Sequence, residues 1–393
     1  MVDRPLQRSR PLDARSSLIE YGGVAVLLGA VVIVGAVLRR VFEHLAQIPP
    51  TSEPIIGAAS AFTGRILLSF VYAVLVLGVV GVGYVLARDW TDRFDRIDAP
   101  DLLTIGGTIT AAAFVLAYVA IDPIQRSVTP IVVDLVGPVT MVVLALGYTR
   151  YRDVSLRTSV PDGDVLPTVL GVGLVAVLAG GAVLLGIGTG RTGVFGSFFQ
   201  PRIGPVGVAR SVVVTGALGG VGYALLYNAA IQGRLGIVTC PAKAVAAVTV
   251  LFPVRAWAGI ELQLVTAARQ GSMTPLVQSL GRTIGAIVVG VVAAWLFVRG
   301  MDPLLSRMDG AATTLHSGVA AAGIVSFVAV IASVVRGYPA GVVLGLVSLT
   351  VVAAAAAIGY ERTRSVWVPA LAFGVYLLLV DSALTRHLLA VIH

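Results

Sequence analysis

GYERTRSVWVPALAFGVYLLL, Gly359 to Leu379, reads as the end of one hydrophobic helix, a charged turn and the start of a second hydrophobic helix. Glu361, Arg362 and Arg364 supply the charge of the turn, and Tyr360 and Trp367 flank it, the residue types that anchor helix ends at a membrane surface. Pro369 falls in the first turn of the second helix, where its missing N–H costs no hydrogen bond. Two apolar helices joined by a short polar turn are the unit from which the whole chain is built.

Of the 393 residues, 57% are hydrophobic and only 12% are charged, and the mean hydropathy is +0.94. Those values lie far outside the soluble range and predict a polytopic membrane protein. Windows of about 20 apolar residues predict spans near 18–38, 66–87, 102–121, 129–148, 165–187, 208–231, 242–265, 283–299, 317–335, 339–359 and 367–390. Backbone polar groups cannot go unpaired in lipid, and no short alternating pattern recurs, so helices and not a barrel must satisfy them. The predicted fold class is all-α, a bundle of about eleven transmembrane helices, divided into an N-terminal membrane region at 1–160 and a helical core at 161–393.

The first apolar run is too long for a secretory signal and is followed by Arg39 and Arg40, so it is read as the first span. With the N-terminus cytoplasmic, the inside loops collect more than half of the 28 basic residues, Arg88, Arg150, Arg152, Arg234, Lys243 and Arg362 among them. No basic run exceeds two residues, which argues against nucleic acid and for anionic lipid head groups. The single Cys240 excludes a disulfide framework within the chain and a cysteine-ligated zinc site. GYVLARD (Gly83–Asp89) and GYTRYRD (Gly147–Asp153) are alike, as interfacial anchors or as an internal repeat.

The Gly359–Leu379 segment, with the Arg-rich loop YRDVSLRTSVPDGDVLPTVLG that begins at Tyr151, resembles the CPBP family (CAAX-protease and bacteriocin-processing, or Abi-type, intramembrane proteases). The resemblance implies a glutamate- and histidine-built active site. In the family's last motif a histidine and, four residues on, an asparagine or aspartate follow the turn; here Phe373 and Leu377 stand there. Its first motif is a pair of glutamates and, after three further residues, an arginine. GYALLYNAAIQGRL places Tyr223, Ala224 and Asn228 at those positions, and AAWLFVRGMDPLLSR places Ala294, Trp295 and Arg299. Its second motif, a phenylalanine with a histidine four residues on, falls on Phe252 and Ala256 in one register and on Phe327 and Ile331 in the other. Chain spacing to Phe373 favours the register ending in Ile331, while letter-by-letter similarity favours the one through Tyr223.

Both registers lack the glutamates and histidines, so neither offers the groups that bind a metal or move a proton. The four histidines, His44, His316, His387 and His393, form no helical pair with an acid or a second histidine, and no cofactor is predicted. Intramembrane charges are the remaining functional candidates, because burying one costs several kcal/mol unless it is paired. They are Asp134, Arg210, Arg255, Glu261 and Asp381. Gly216 to Gly220 and Gly341 to Gly345 match the GxxxG pattern of close helix packing. The expected function is that of a CPBP-like protein of the cell membrane without peptidase activity, binding or scaffolding a membrane protein or a lipidated partner. Two other readings stay open: an active CPBP-type endopeptidase, and a small-solute transporter, suggested by span number and buried charge.

Overall fold

The computed structural model describes residues 14–46, 99–119, 129–161, 163–191, 211–268, 275–305, 311–338 and 340–380, with isolated positions between 66 and 84. The described residues are helical and contain no strand. In chain order the helices are α1 (Ala14–Ala46), α2 (Ala99–Val119), α3 (Thr129–Tyr151), α4 (Leu166–Arg191), α5 (Ser211–Val238), α6 (Pro241–Ala268), α7 (Pro275–Leu305), α8 (Ala311–Arg336), α9 (Ala340–Thr363) and α10 (Trp367–Val380). Seven of them, α1 and α4 to α9, are long and apolar enough to cross a membrane, and α2, α3 and α10 contain shorter apolar stretches. The protein is thus an all-α, multi-pass membrane bundle. Each expected span except 66–87, which is described only at isolated positions, overlaps one of these helices, and residues 381–390 of the last expected span lie outside the described residues.

The chain forms two compact units, residues 33–143 and residues 1–32 with 144–393. The boundaries of these units fall within α1 and within α3. In the smaller unit, Gly106 of α2 faces the Leu77 side chain. In the larger unit, α6 is central: it lies along α7 and also packs on α8 and α9, while α10 packs against α4, α5 and α9.

The α5 and α10 backbones come into direct contact. A Cβ at Gly220 would lie 2.5 Å from the Ala370 carbonyl and 2.8 Å from the Gly374 Cα, and one at Gly374 would lie 3.0 Å from the Gly216 carbonyl. Gly216 and Gly220 therefore do what their spacing suggests, letting two backbones touch. Gly341 and Gly345 do not, since a Cβ at either would meet nothing within 4 Å. Within α5 the backbone is wound as π-helix over Ser211–Leu218 and Ala224–Gln232, with α-helical turns at Gly219–Tyr223 and Gly233–Val238.

Charges fasten one end of the larger unit. Glu20 at the start of α1 binds Arg152 at 2.9 Å and Arg234 at 2.7 Å, joining the ends of α3 and α5. Lys243 of α6 pairs with Asp302 of α7. The turn between α9 and α10 is docked on the loop before α4: Val366 N–H donates to the Arg157 carbonyl at 2.8 Å, Ser365 Oγ to the Ser159 carbonyl at 2.7 Å and Trp367 Nε1 to the Thr158 carbonyl at 2.7 Å. Arg157 lies over the Tyr360 ring, and burial, together with Arg364 nearby, lowers its guanidinium pKa. Asp153 and Arg364 take left-handed backbone conformations, φ 50° and 54°, where this loop and this turn reverse direction.

Gly220→Ala is expected to destabilise the protein by about 1–3 kcal/mol, since its Cβ meets backbone atoms on α10 and no side chain can move aside. Gly181→Ala, whose Cβ would meet nothing within 4 Å, is expected to be neutral or mildly stabilising. Thermal unfolding of the detergent-solubilised variants measures both.

Candidate functional site

Three helices converge on four aromatic rings. On α5, Tyr223 and Tyr227 stand one turn apart and stack with centroids 6.0 Å apart and planes at 13°. Phe252 of α6 lies 5.2 Å from Tyr223 and 4.6 Å from Tyr227. Phe373 of α10 lies 5.7 Å from Tyr223 and meets Phe252 edge-on at 5.5 Å. The glycine crossing is the reason: with the α5 and α10 backbones touching at Gly220 and Gly374, Phe373 is brought within ring distance of Tyr223. Such pairs contribute about 0.5–1.5 kcal/mol each beyond area burial.

The register through Tyr223 is therefore the one whose helices meet. Tyr223, Phe252 and Phe373 touch, Ala224 and Asn228 are fully buried, and Leu377 packs at Gly219. Residues of the other register lie elsewhere. Ala294 is buried on α7, and Trp295 approaches Ser17 of α1 at 3.5 Å with Arg299 over its ring at 5.3 Å. Phe327 and Ile331 face outward from α8, 66% and 47% exposed. Chain spacing favoured that register because it assumed about one helix between the second and third motifs; here α7, α8 and α9 stand between them.

Below the rings, α5 carries a buried amide chain. Asn228 Nδ2 donates to Gln232 Oε1 at 2.8 Å, and Gln232 Nε2 donates to the Ala357 carbonyl of α9 at 2.9 Å. Asn228 Oδ1 and the Tyr227 hydroxyl are buried without a hydrogen-bond partner. Gln232 and Tyr227 escaped the sequence reading, although Tyr223, Tyr227 and Ile231 repeat every four residues along one helix face.

Among the charged candidates, Glu261 faces Arg336 at 3.8 Å across α6 and α8. Arg255, also on α6, has its guanidinium 5.8 Å above Tyr227 and 5.9 Å above Phe252. Its Nε is buried without an acceptor, and no ion pair involves it among the described residues. Ring faces repay about 0.5–2 kcal/mol for such a cation, against about 2.5–3.5 kcal/mol for placing an arginine at mid-membrane by insertion scales. Arg210 and Asp381 lie outside the described residues, and the Asp134 side chain does too. Among the described residues no three histidine, cysteine, aspartate or glutamate side chains cluster as metal ligands would.

Two spaces open beside this hub. A groove of about 650 Å³ runs between α4, α8 and α9, walled by Val172, Val175, Val319, Ala322 and Ala355, with Arg362 at one end. A polar cavity of about 360 Å³ lies between α6 and α7. Compared with protein-family models, curated proteins and solved structures, the chain matches none.

Gln232→Ala is expected to cost about 1–3 kcal/mol by orphaning Asn228 in the core, whereas Asn228→Leu combined with Gln232→Met is expected to cost less than the single change. Thermal unfolding of the two variants side by side decides this.

Proposed function

We propose that the protein is a CPBP-like protein of the cell membrane that binds a membrane or lipidated partner and does not cleave peptide bonds. The observation that carries this reading is the aromatic hub. Three helices bearing motif-like positions meet at one point, as the resemblance implies for an active site, yet that point holds Tyr223 and Phe373 in ring contact. Ala224 and Ala256 stand at two more of the positions where the family has glutamate and histidine. Phenyl and methyl groups neither activate water nor ligate a metal. The rings fill the space that a scissile peptide would need.

A binding role draws support from the groove between α4, α8 and α9. Its walls are aliphatic, its volume of about 650 Å³ is in the range of small-molecule sites, and Arg362 closes it with a positive charge. An apolar chain carrying a negative terminus matches that arrangement. Orientation follows from the charge distribution: Arg152, Arg234, Lys243 and Arg362 stand at helix ends that alternate in direction along the chain and so share one face, which favours a cytoplasmic N-terminus.

Reconstituted in nanodiscs with prenylated or signal-type peptides and zinc, the protein is expected to show no cleavage. It is expected to bind a prenylated acidic peptide about tenfold less well after Gly323→Trp, which fills the groove where a Cβ meets nothing within 4 Å. Cleavage that disappears on mutating a single acidic residue, such as Glu261→Gln, would overturn the reading.

A further inference from the structure

The cavity between α6 and α7 is lined by Arg255 and Gly259 on one side and by Ser279, Arg282 and Thr283 on the other. Its lining carries two arginines, whereas the groove between α4, α8 and α9 carries one. Between Arg255 and Asp302 the sequence contains one acid, Glu261, and that residue faces Arg336 of α8. Neither Arg255 nor Arg282 forms an ion pair among the described residues, so two guanidinium groups line one cavity with no carboxylate between them.

Each group's hydrogen-bonding capacity points the same way. Tyr227 and Phe252 cover a face of the Arg255 guanidinium and accept none of its in-plane N–H donors, and its buried Nε has no partner. Arg282 gives Nε to the Gln278 carbonyl at 3.2 Å and keeps its terminal nitrogens. Thr283 donates to the Ser279 carbonyl at 2.9 Å, which leaves the Ser279 hydroxyl as the donor to spare. Ser279, Arg282 and Thr283 are spaced i, i+3 and i+4, which puts them on one face of α7.

Close packing fixes the spacing of the two sides. A Cβ at Gly290 would lie 3.0 Å from Arg255 Cβ, and one at Gly285 3.1 Å from a Leu262 methyl, so α6 and α7 cannot slide without collision. The two arginines thus come from the two walls of one cavity between closely packed helices, an arrangement suited to a multi-oxygen anion. A lone carboxylate would leave one positive charge unmatched. A phosphate presents oxygens in several directions and meets both guanidinium forks.

We infer that α6 and α7 form an intramembrane phosphate-binding site, with Arg255 and Arg282 as its cationic partners and the Ser279 hydroxyl as a further donor. The phosphate group belongs either to a soluble phosphate or to a lipid head group. The site is separate from the groove between α4, α8 and α9 and does not depend on the peptidase question.

The test uses the full chain in phosphatidylcholine nanodiscs. In one arm inorganic phosphate is titrated against chloride at matched ionic strength; in the other, phosphatidylglycerol replaces part of the phosphatidylcholine. A saturable rise in unfolding temperature is expected in at least one arm, with apparent affinity weakened about tenfold or more by Arg255→Gln and by Arg282→Gln. A response to inorganic phosphate identifies a soluble ligand; a response to phosphatidylglycerol alone identifies a lipid head group. No saturable response in either arm overturns the proposal, as does an unchanged response in both variants. Should Arg255→Gln not elute as a monodisperse protein, Arg282→Gln and Ser279→Ala carry the comparison, with an unchanged response in both again overturning it.

Discussion

The larger unit is organised by one steric constraint, the contact of the α5 and α10 backbones at Gly220 and Gly374. In a membrane the lipid is as apolar as the helices, so helices associate through close packing and not through exclusion of water. Glycine at both positions allows an approach that no side chain would permit, with a would-be Cβ at Gly220 only 2.5 Å from the Ala370 carbonyl. Once those backbones touch, Tyr223 is carried to Phe373, and Phe252 of α6 completes the cluster. Gln232, further along α5, reaches α9. The consecutive helices α5 and α6 are thus joined to α9 and α10, far along the chain, by consequences of two missing methyl groups.

Electrostatics then sorts the charged residues into two kinds. Those at helix ends find partners: Glu20 takes Arg152 and Arg234, and Lys243 takes Asp302. Removing Glu20 would strand two partly buried arginines, Arg152 and Arg234, at once. Arg255 is of the other kind. It lies about halfway along α6, with aromatic faces for company and no carboxylate paired to it among the described residues. A charge held in so costly a place without a protein partner is the mark of a residue kept for something that arrives from outside the chain.

The sequence made the helices legible because span length is dictated by bilayer thickness. It made Gly216 and Gly220 legible as a packing motif and Arg255 as an intramembrane charge, while Tyr223, Phe252 and Phe373 were singled out by the family resemblance. What it could not reveal was which helices are neighbours. Residue spacing preferred Ile331 as the partner of Phe373, yet Ile331 faces outward, because α8 packs on α6 and α9 through its other side. Arg282 was also hidden, standing just before the apolar window taken as a span, and its significance depends on α6 lying beside it. Hydropathy reports a residue's own solvent and is silent about its neighbours, and the groove lined by α4, α8 and α9 is a property of neighbours alone.

Packing density decides where such a protein can bind anything. Tyr227 and Phe373 are almost completely buried, and Phe252 nearly so, so the meeting point of α5, α6 and α10 is a packed core with no room for a ligand. Space is found instead at helix seams around it. Between α4, α8 and α9 the seam is aliphatic and ends at Arg362; between α6 and α7 it is polar and carries two arginines. Arg255 belongs to both regions, since its guanidinium covers the hub's rings while it lines the polar cavity. Because the rings cover a face of that guanidinium and leave its in-plane donors untouched, an anion in the cavity meets those donors while the cation–π contacts stay in place.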